Sequence, residues 1–215
     1  MNKLEKTKIR IISLSALLCL ILFCPVTNAT SLFGYKAEKR NNLQMFPKWI
    51  SVLERDLGKN VPRSHCVERS LDQCQIEKWL SYLDGLRKLE MKQQIERVNA
   101  YANKHKYVLD IMNYGVDDYW AVPGEFLLNN GDCEDYAIIK MLSLKILGID
   151  AAKLKLVVLQ DTNLRIPHAV LSVDVGNDIL IMDNQIDEVI SHKHILHYVP
   201  VYAVDDKQWW IYLPI

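Results

Sequence analysis

Cys133 stands in the run Gly131-Asp132-Cys133-Glu134-Asp135, just ahead of an apolar stretch of Tyr136, Ala137, Ile139, Leu142, Leu144, Ile146 and Leu147. A thiol attacks as its thiolate, and the first turn of a helix stabilises that anion through unpaired N–H groups and the positive end of the backbone dipole. Asp132 reads as an N-cap, Asp135 as its acidic N3 partner and Gly148 as the stop, so Cys133 is predicted in the first turn of a buried helix. Such a nucleophile also requires a histidine to take its proton and a third group to fix the imidazole tautomer.

Spacing supplies both. The runs 169–175 and 179–182 are strand-like, and Gly176-Asn177 between them is a two-residue hairpin turn. Val175 then faces Asp178, which sets His168 opposite Gln185 and Asp183 opposite Val170. His168 and Asp183 become diagonal neighbours on one sheet face, within reach of a side-chain hydrogen bond. A one-residue slip would send them to opposite faces. Taken singly, a cysteine at a helix start is more often a small packed residue, and a histidine entering a strand is ordinary half-buried surface. The chemistry lies in the joint arrangement.

The elements that must position these groups are legible as periodic patterns. Leu43, Phe46, Trp49, Ile50, Leu53 and Leu57 recur at helical spacing, closed by Gly58 and Pro62. A second helical pattern starts at Asp72, runs through Ile76, Trp79, Leu80, Leu83, Leu86, Ile95 and Val98 to about Asn103, and is long enough to break near Leu89. Further strands are expected at 154–159 and 198–204. Helices first, then a buried helix, then an antiparallel sheet describe an α+β domain. Trp49 and Trp79 read as core; Trp209-Trp210 reads as core closure rather than an exposed docking patch. His192, His194 and His197 lack the cysteines or fixed element of a zinc site and read as solvated.

The N-terminus carries Lys3, Lys6, Lys8 and Arg10, the apolar run 11–24, and Thr27-Asn28-Ala29, the pattern of a secretory leader cut after Ala29. Residues 30–215 then form a single domain, with 22 basic and 25 acidic side chains and a net charge of −3. That balance offers no electrostatic footprint for nucleic acid. Cys66, Cys74 and Cys133 remain, an odd number for an exported chain; Cys66 and Cys74 are the candidates for a disulfide, leaving Cys133 as the thiol.

Asp118-Tyr119-Trp120, Pro123-x-Glu125, Gly131-Asp132-Cys133-Glu134-Asp135-Tyr136-Ala137 with Lys140, His168-Ala169-Val170-Leu171 and Asp183-Asn184 together resemble the bacterial transglutaminase-like cysteine peptidases, in particular the LapG type. The similarity spans roughly Trp79 to Trp210. It implies a papain/transglutaminase-like core with N-terminal helices and the nucleophile helix packed on an antiparallel sheet, and a triad of Cys133, His168 and Asp183. It further implies a calcium-dependent periplasmic endopeptidase that clips the N-terminal region of a large surface adhesin and so disperses biofilm. An inner-membrane receptor for cyclic di-GMP is the implied regulatory partner.

The calcium expectation has a physical side. Asp132, Glu134 and Asp135 crowd the thiol with negative charge, which opposes thiolate formation. A bound Ca²⁺ reverses that local sign and accepts carboxylate oxygens in tolerant geometry, with Asp117 and Asp118 as further donors from the preceding loop. The simpler alternative has Asp132 and Asp135 merely capping the helix while Glu134 faces water. Two other functions fit the same residues: a transglutaminase-type acyl transferase, in which an amine resolves the thioester, and a non-catalytic calcium-binding periplasmic adaptor with an inert thiol.

Overall fold

A computed structural model of the chain describes residues 31–57 and 71–215. The expected leader with its cut after Ala29, the stop at Gly58 and Pro62, and Cys66 with its expected bond to Cys74 lie outside the described residues.

The chain opens with a short hairpin, β1 (Ser31–Leu32) and β2 (Tyr35–Arg40), which the sequence patterns did not signal. Helix α1 (Pro47–Leu57) follows a 3₁₀ turn at Leu43–Met45 and starts on Pro47, where a missing N–H costs nothing. The long helical pattern divides as expected into α2 (Leu71–Leu86) and α3 (Met91–Ala102). At that break the Leu86 carbonyl accepts both the Leu89 N–H at 2.9 Å and the buried Gln94 amide at 3.1 Å. Two short helices, α4 (Asp110–Asn113) and α5 (Pro123–Asn129), lead to α6 (Cys133–Ile146).

Helix α6 is the centre of the fold. Every residue from Glu134 to Ser143 is buried, so it lacks a solvent face and must be wrapped on all sides. Helices α2, α3 and α5 pack on one side of the core; Trp79 of α2 donates its indole N–H to Ser143 Oγ at 2.9 Å. The other side rests on the sheet through Leu154, Leu156, Ala169, Leu171, Val173, Met182 and Val204.

The sheet has eight strands in the order β1-β2-β8-β7-β3-β4-β5-β6, all paired antiparallel, adding β3 (Leu154–Asp161), β4 (Ile166–Asp174), β5 (Ile179–Met182), β6 (Ile190–Ser191), β7 (Tyr198–Val204) and β8 (Trp209–Pro214). Its far face carries a second, smaller core of Leu32, Val157, Leu159, Val170, Ile181, Ile195, Tyr198, Ala203 and Tyr212. Trp209 and Trp210 belong to β8: Trp209 meets Phe46 edge-on at 5.2 Å and Lys155 Nζ sits 4.4 Å over the Trp210 ring, so the pair closes the sheet.

The hairpin that matters for the site has the register predicted from its turn. Leu171 faces Met182, Ser172 faces Ile181 and Asp174 faces Ile179, with Val175 N–H donating to the Asp178 carbonyl at 2.9 Å. Gly176 takes φ +93°, a left-handed conformation that side chains resist. Gly176→Val should therefore cost about 1–2 kcal/mol and lower Tm by roughly 2–6 °C, readable by circular dichroism, with the folded baseline unchanged.

Candidate active site

Two hydrogen bonds to one carboxylate fix the start of α6. Asp135, fully buried, accepts from the Ala121 N–H at 2.7 Å and from the Asp132 N–H at 3.3 Å, so one carboxylate ties the helix to the preceding loop and closes its own N-cap. Gly131 allows that approach: a Cβ there would lie 2.1 Å from Asp135 Oδ2. The loop is held in turn by Arg55 of α1, which donates to the Tyr119 hydroxyl at 2.8 Å, to Glu125 Oε2 and to the Trp120 carbonyl. Glu125 also accepts from the Val122 N–H at 3.0 Å. The residues Asp118-Tyr119-Trp120 and Pro123-x-Glu125 thus brace the helix start, and Arg55, some sixty positions away in sequence, is a partner that no local pattern exposes.

Cys133 and His168 line one cleft of about 470 Å³, with Tyr107, Leu109, Trp120, Ile166 and Tyr202 among its walls. The Cys133 thiol donates to Glu134 Oε2 at 3.3 Å and receives the Ala169 N–H, from the residue next to His168. Burial pushes the thiol well above its ordinary range, and the charges of Glu134 and Asp132 push the same way; the Ala169 N–H opposes them. His168, buried on β4, pairs its Nε2 with Asp183 Oδ1 at 2.9 Å, while the Gln185 amide lies 3.4 Å from Nδ1. Nε2 held by a carboxylate leaves Nδ1 as the basic nitrogen. Asp183 is buried, yet its carboxyl is held below the usual range because its bond to His168, the His168 charge and the Tyr198 hydroxyl outweigh the burial.

The acidic residues divide into two kinds. Asp135 has both oxygens committed to backbone N–H groups. By contrast, Asp132 Oδ1 and Asp110 Oδ1 are buried with no hydrogen-bond partner. Glu134 is buried, against the simpler alternative in which it faces water. Carboxylate oxygens of Asp110, Asp118 and Glu134 lie within 4.8 Å of one another, as do those of Asp110, Asp132 and Asp135. Asp118 is half-exposed, pairs with Lys48 and accepts from the Trp120 indole at 2.9 Å. Asp117 lines the cleft but joins neither group. Asp110 was absent from the sequence reading; it sits in Leu109-Asp110-Ile111 with no pattern to mark it, and only the fold brings it to the α6 start. Buried carboxylate oxygens without donors suit a hard, oxygen-seeking cation such as Ca²⁺, and the neighbouring soft thiol does not.

Further residues lie behind the pair. The Tyr198 hydroxyl donates to Asp183 Oδ2 at 2.6 Å, and Asn103 donates to the Asp183 carbonyl at 2.8 Å. Lys140, seven positions after Cys133 on α6, is fully buried with no bonding partner for Nζ; burial lowers it to about 7 despite the charges of Asp183 and Asp187. His192 is not solvated as expected: it is buried, and its Nδ1 accepts the Phe33 N–H at 3.0 Å. Among the described residues no histidine joins a candidate metal group.

A thiol at a buried helix start, beside a strand histidine paired with a carboxylate, on an α+β fold with a papain/transglutaminase-like core, defines a cysteine-peptidase-like enzyme. Residues 62–214 match the family model of the bacterial transglutaminase-like cysteine proteinases, and the chain belongs to that family. Legionella pneumophila LapG is similar in structure at 26% identity, with TM-score 0.60 over 75% of this chain and 86% of that one. Its calcium-bound form gives TM-score 0.61 at the same identity and coverage, and its EGTA-treated form 0.60 over 84% of that chain. None of the curated proteins compared matches the chain.

The carboxylate cluster sets a pH dependence. Burial, helped by neighbouring carboxylates, raises Asp110 to about 6 and Asp135 to about 8, and raises Glu134 further. Because these folded-state values lie above the unfolded ones, their favourable contribution is full below the ordinary carboxylate range and is lost as pH rises through about 6 to 8. Without divalent cations, Tm should fall across that interval when followed by calorimetry in matched buffers. Gly131→Ala should lower Tm more than Gly176→Val does, since its new methyl meets a buried carboxylate rather than open space. Equal shifts for the two variants would show that the Gly131–Asp135 approach is not constrained.

Proposed function

We propose that the chain is a calcium-dependent periplasmic cysteine endopeptidase that cleaves the N-terminal region of a large surface adhesin, with Cys133 as nucleophile, His168 as base and Asp183 as the residue orienting the imidazole. The observation that supports this reading is the shared cleft in which the Cys133 thiol lies against the backbone of Ala169 while His168 is pinned by Asp183. His168 Nδ1 takes the thiol proton, and the thiolate attacks the scissile carbonyl carbon. The resulting imidazolium gives its proton to the leaving amine as the C–N bond breaks, leaving a thioester. Water, deprotonated by the same nitrogen, then cleaves the thioester and restores the thiol. First-turn N–H groups of α6 have no intrahelical acceptor and are suited to the oxyanion that forms at each addition.

Asp110, Asp118, Asp132 and Glu134 are the residues that would hold Ca²⁺. Bound there, the ion supplies positive charge that offsets the carboxylates opposing the Cys133 thiolate. Asp135 is the brace of this group rather than a donor, and Asp117 a cleft residue at its margin. Residues 30–215 act as one peptidase unit released by the leader. LapG of Legionella pneumophila, solved both calcium-bound and EGTA-treated, supports the calcium part of the reading; the adhesin part rests on the sequence resemblance. An inner-membrane cyclic di-GMP receptor is the regulatory partner that the sequence resemblance implies.

The test is incubation of the mature protein with the cell's own large surface proteins, with calcium or with chelator, reading new N-termini by mass spectrometry. Cleavage in calcium should disappear in chelator and return on adding calcium back. Cys133→Ala should abolish it in a folded protein. Asp183→Asn should reduce kcat by about 10²-fold or more with a smaller change in KM, because it misplaces the imidazole while leaving the cleft intact. Incorporation of an added amine into the products would instead indicate acyl transfer, and absence of any new terminus with an unreactive thiol would indicate an adaptor.

A further inference from the structure

We infer that Tyr198 is a positioning residue for Asp183, and that the N-terminal hairpin β1–β2 acts on the site by holding Tyr198; this rests on the roles proposed above for Cys133, His168 and Asp183. The Tyr198 side chain is buried, and its hydroxyl is aimed at Oδ2, the one carboxylate oxygen of Asp183 that His168 does not use. Oδ1 receives the Gln185 N–H at 2.9 Å as well as the imidazole, and Asn103 anchors the Asp183 carbonyl. A carboxylate fixed at both oxygens cannot turn away from the imidazole. Without the hydroxyl, Oδ2 would be buried with no donor and the carboxylate plane would be free to rotate.

The phenol is suited to donating only. Burial pushes its pKa well above the ordinary tyrosine value, and the charge of Asp183 and their hydrogen bond push it further, so it keeps its proton. The titratable and charged groups around this pair are Asp161 on β3, His168 on β4, Cys133 and Lys140 on α6, His197 just before β7, and Asp183 itself.

The Tyr198 ring is clamped in turn. It lies 5.7 Å from the His168 ring, 4.6 Å from His197 and 5.6 Å from Phe33, the last at a near-perpendicular 86°. Phe33 sits at the tip of the β1–β2 turn with φ +52° and is fixed there by its N–H bond to the buried His192. A path of direct contacts therefore runs from the hairpin through Phe33, Tyr198 and Asp183 to His168.

Tyr198→Phe in the mature chain tests the assignment, with calcium present and the fold checked by circular dichroism. The readouts are the alkylation rate of Cys133 by iodoacetamide at neutral pH and the proton NMR resonance of the His168 Nε2–H. Alkylation should slow by about tenfold, the value of one charge-assisted hydrogen bond, and the resonance should shift or broaden. Unchanged alkylation and an unchanged resonance overturn the assignment. If Tyr198→Phe does not fold, Phe33→Leu carries the test: it keeps the hydroxyl but loosens the ring, so a smaller slowing of the same sign is expected and no slowing overturns the assignment. Asp183→Asn in the same assay separates the two levels. When it slows alkylation and Tyr198→Phe does not, Tyr198 alone is wrong; when neither does, the reading of the site falls with it.

Discussion

Negative charge confined at the start of one buried helix is the condition to which the surrounding structure answers. A carboxylate taken out of water is costly unless donors or a cation meet it. Asp135 is met by two backbone N–H groups and the helix dipole, and Gly131 has no side chain because that carboxylate occupies its place. Asp110 and Asp132 each retain an oxygen with no donor, and Glu134 takes its hydrogen bond from the thiol itself. The reactivity of Cys133 and the charge state of its neighbours are therefore one electrostatic problem. The brace through Arg55, Glu125 and Tyr119 ensures that the loop meeting these groups keeps its place while that charge changes.

What the sequence disclosed was local. Gly176-Asn177 admits one hairpin register, and with it came the pairing of His168 with Asp183. The Asp132 to Asp135 spacing marked a helix start, and Gly148 a stop, because capping depends on a few adjacent residues. What stayed hidden was brought together by the fold from afar. Asp110 lies in a stretch with no periodicity, Arg55 reads as the polar side of an amphipathic helix, and Tyr198 reads as one more apolar position in a strand. Burial of Glu134 was missed for a related reason: on a helix wrapped on every side, position within the turn no longer tells which face meets water. The β1–β2 hairpin is too short and too polar to show an alternating pattern.

The two faces of the sheet divide the labour. The face toward α6 carries the large core that fixes the nucleophile helix, whereas His168 and Asp183 share strand parity with Val170 and Ile181, which belong to the far core. Thiol and imidazole are thus delivered by two separately packed layers that meet at the cleft, beside Ala169.

Pairing of β2 with β8 joins Tyr35 to Pro214 and Arg40 to Trp209 across nearly the whole length of the chain. Until residues 209–214 are present β2 has only the two-residue β1 to pair with, and closing so large a loop is entropically slow. The far core, with Leu32 and Tyr212 on its two contributing ends, is then the last part to consolidate.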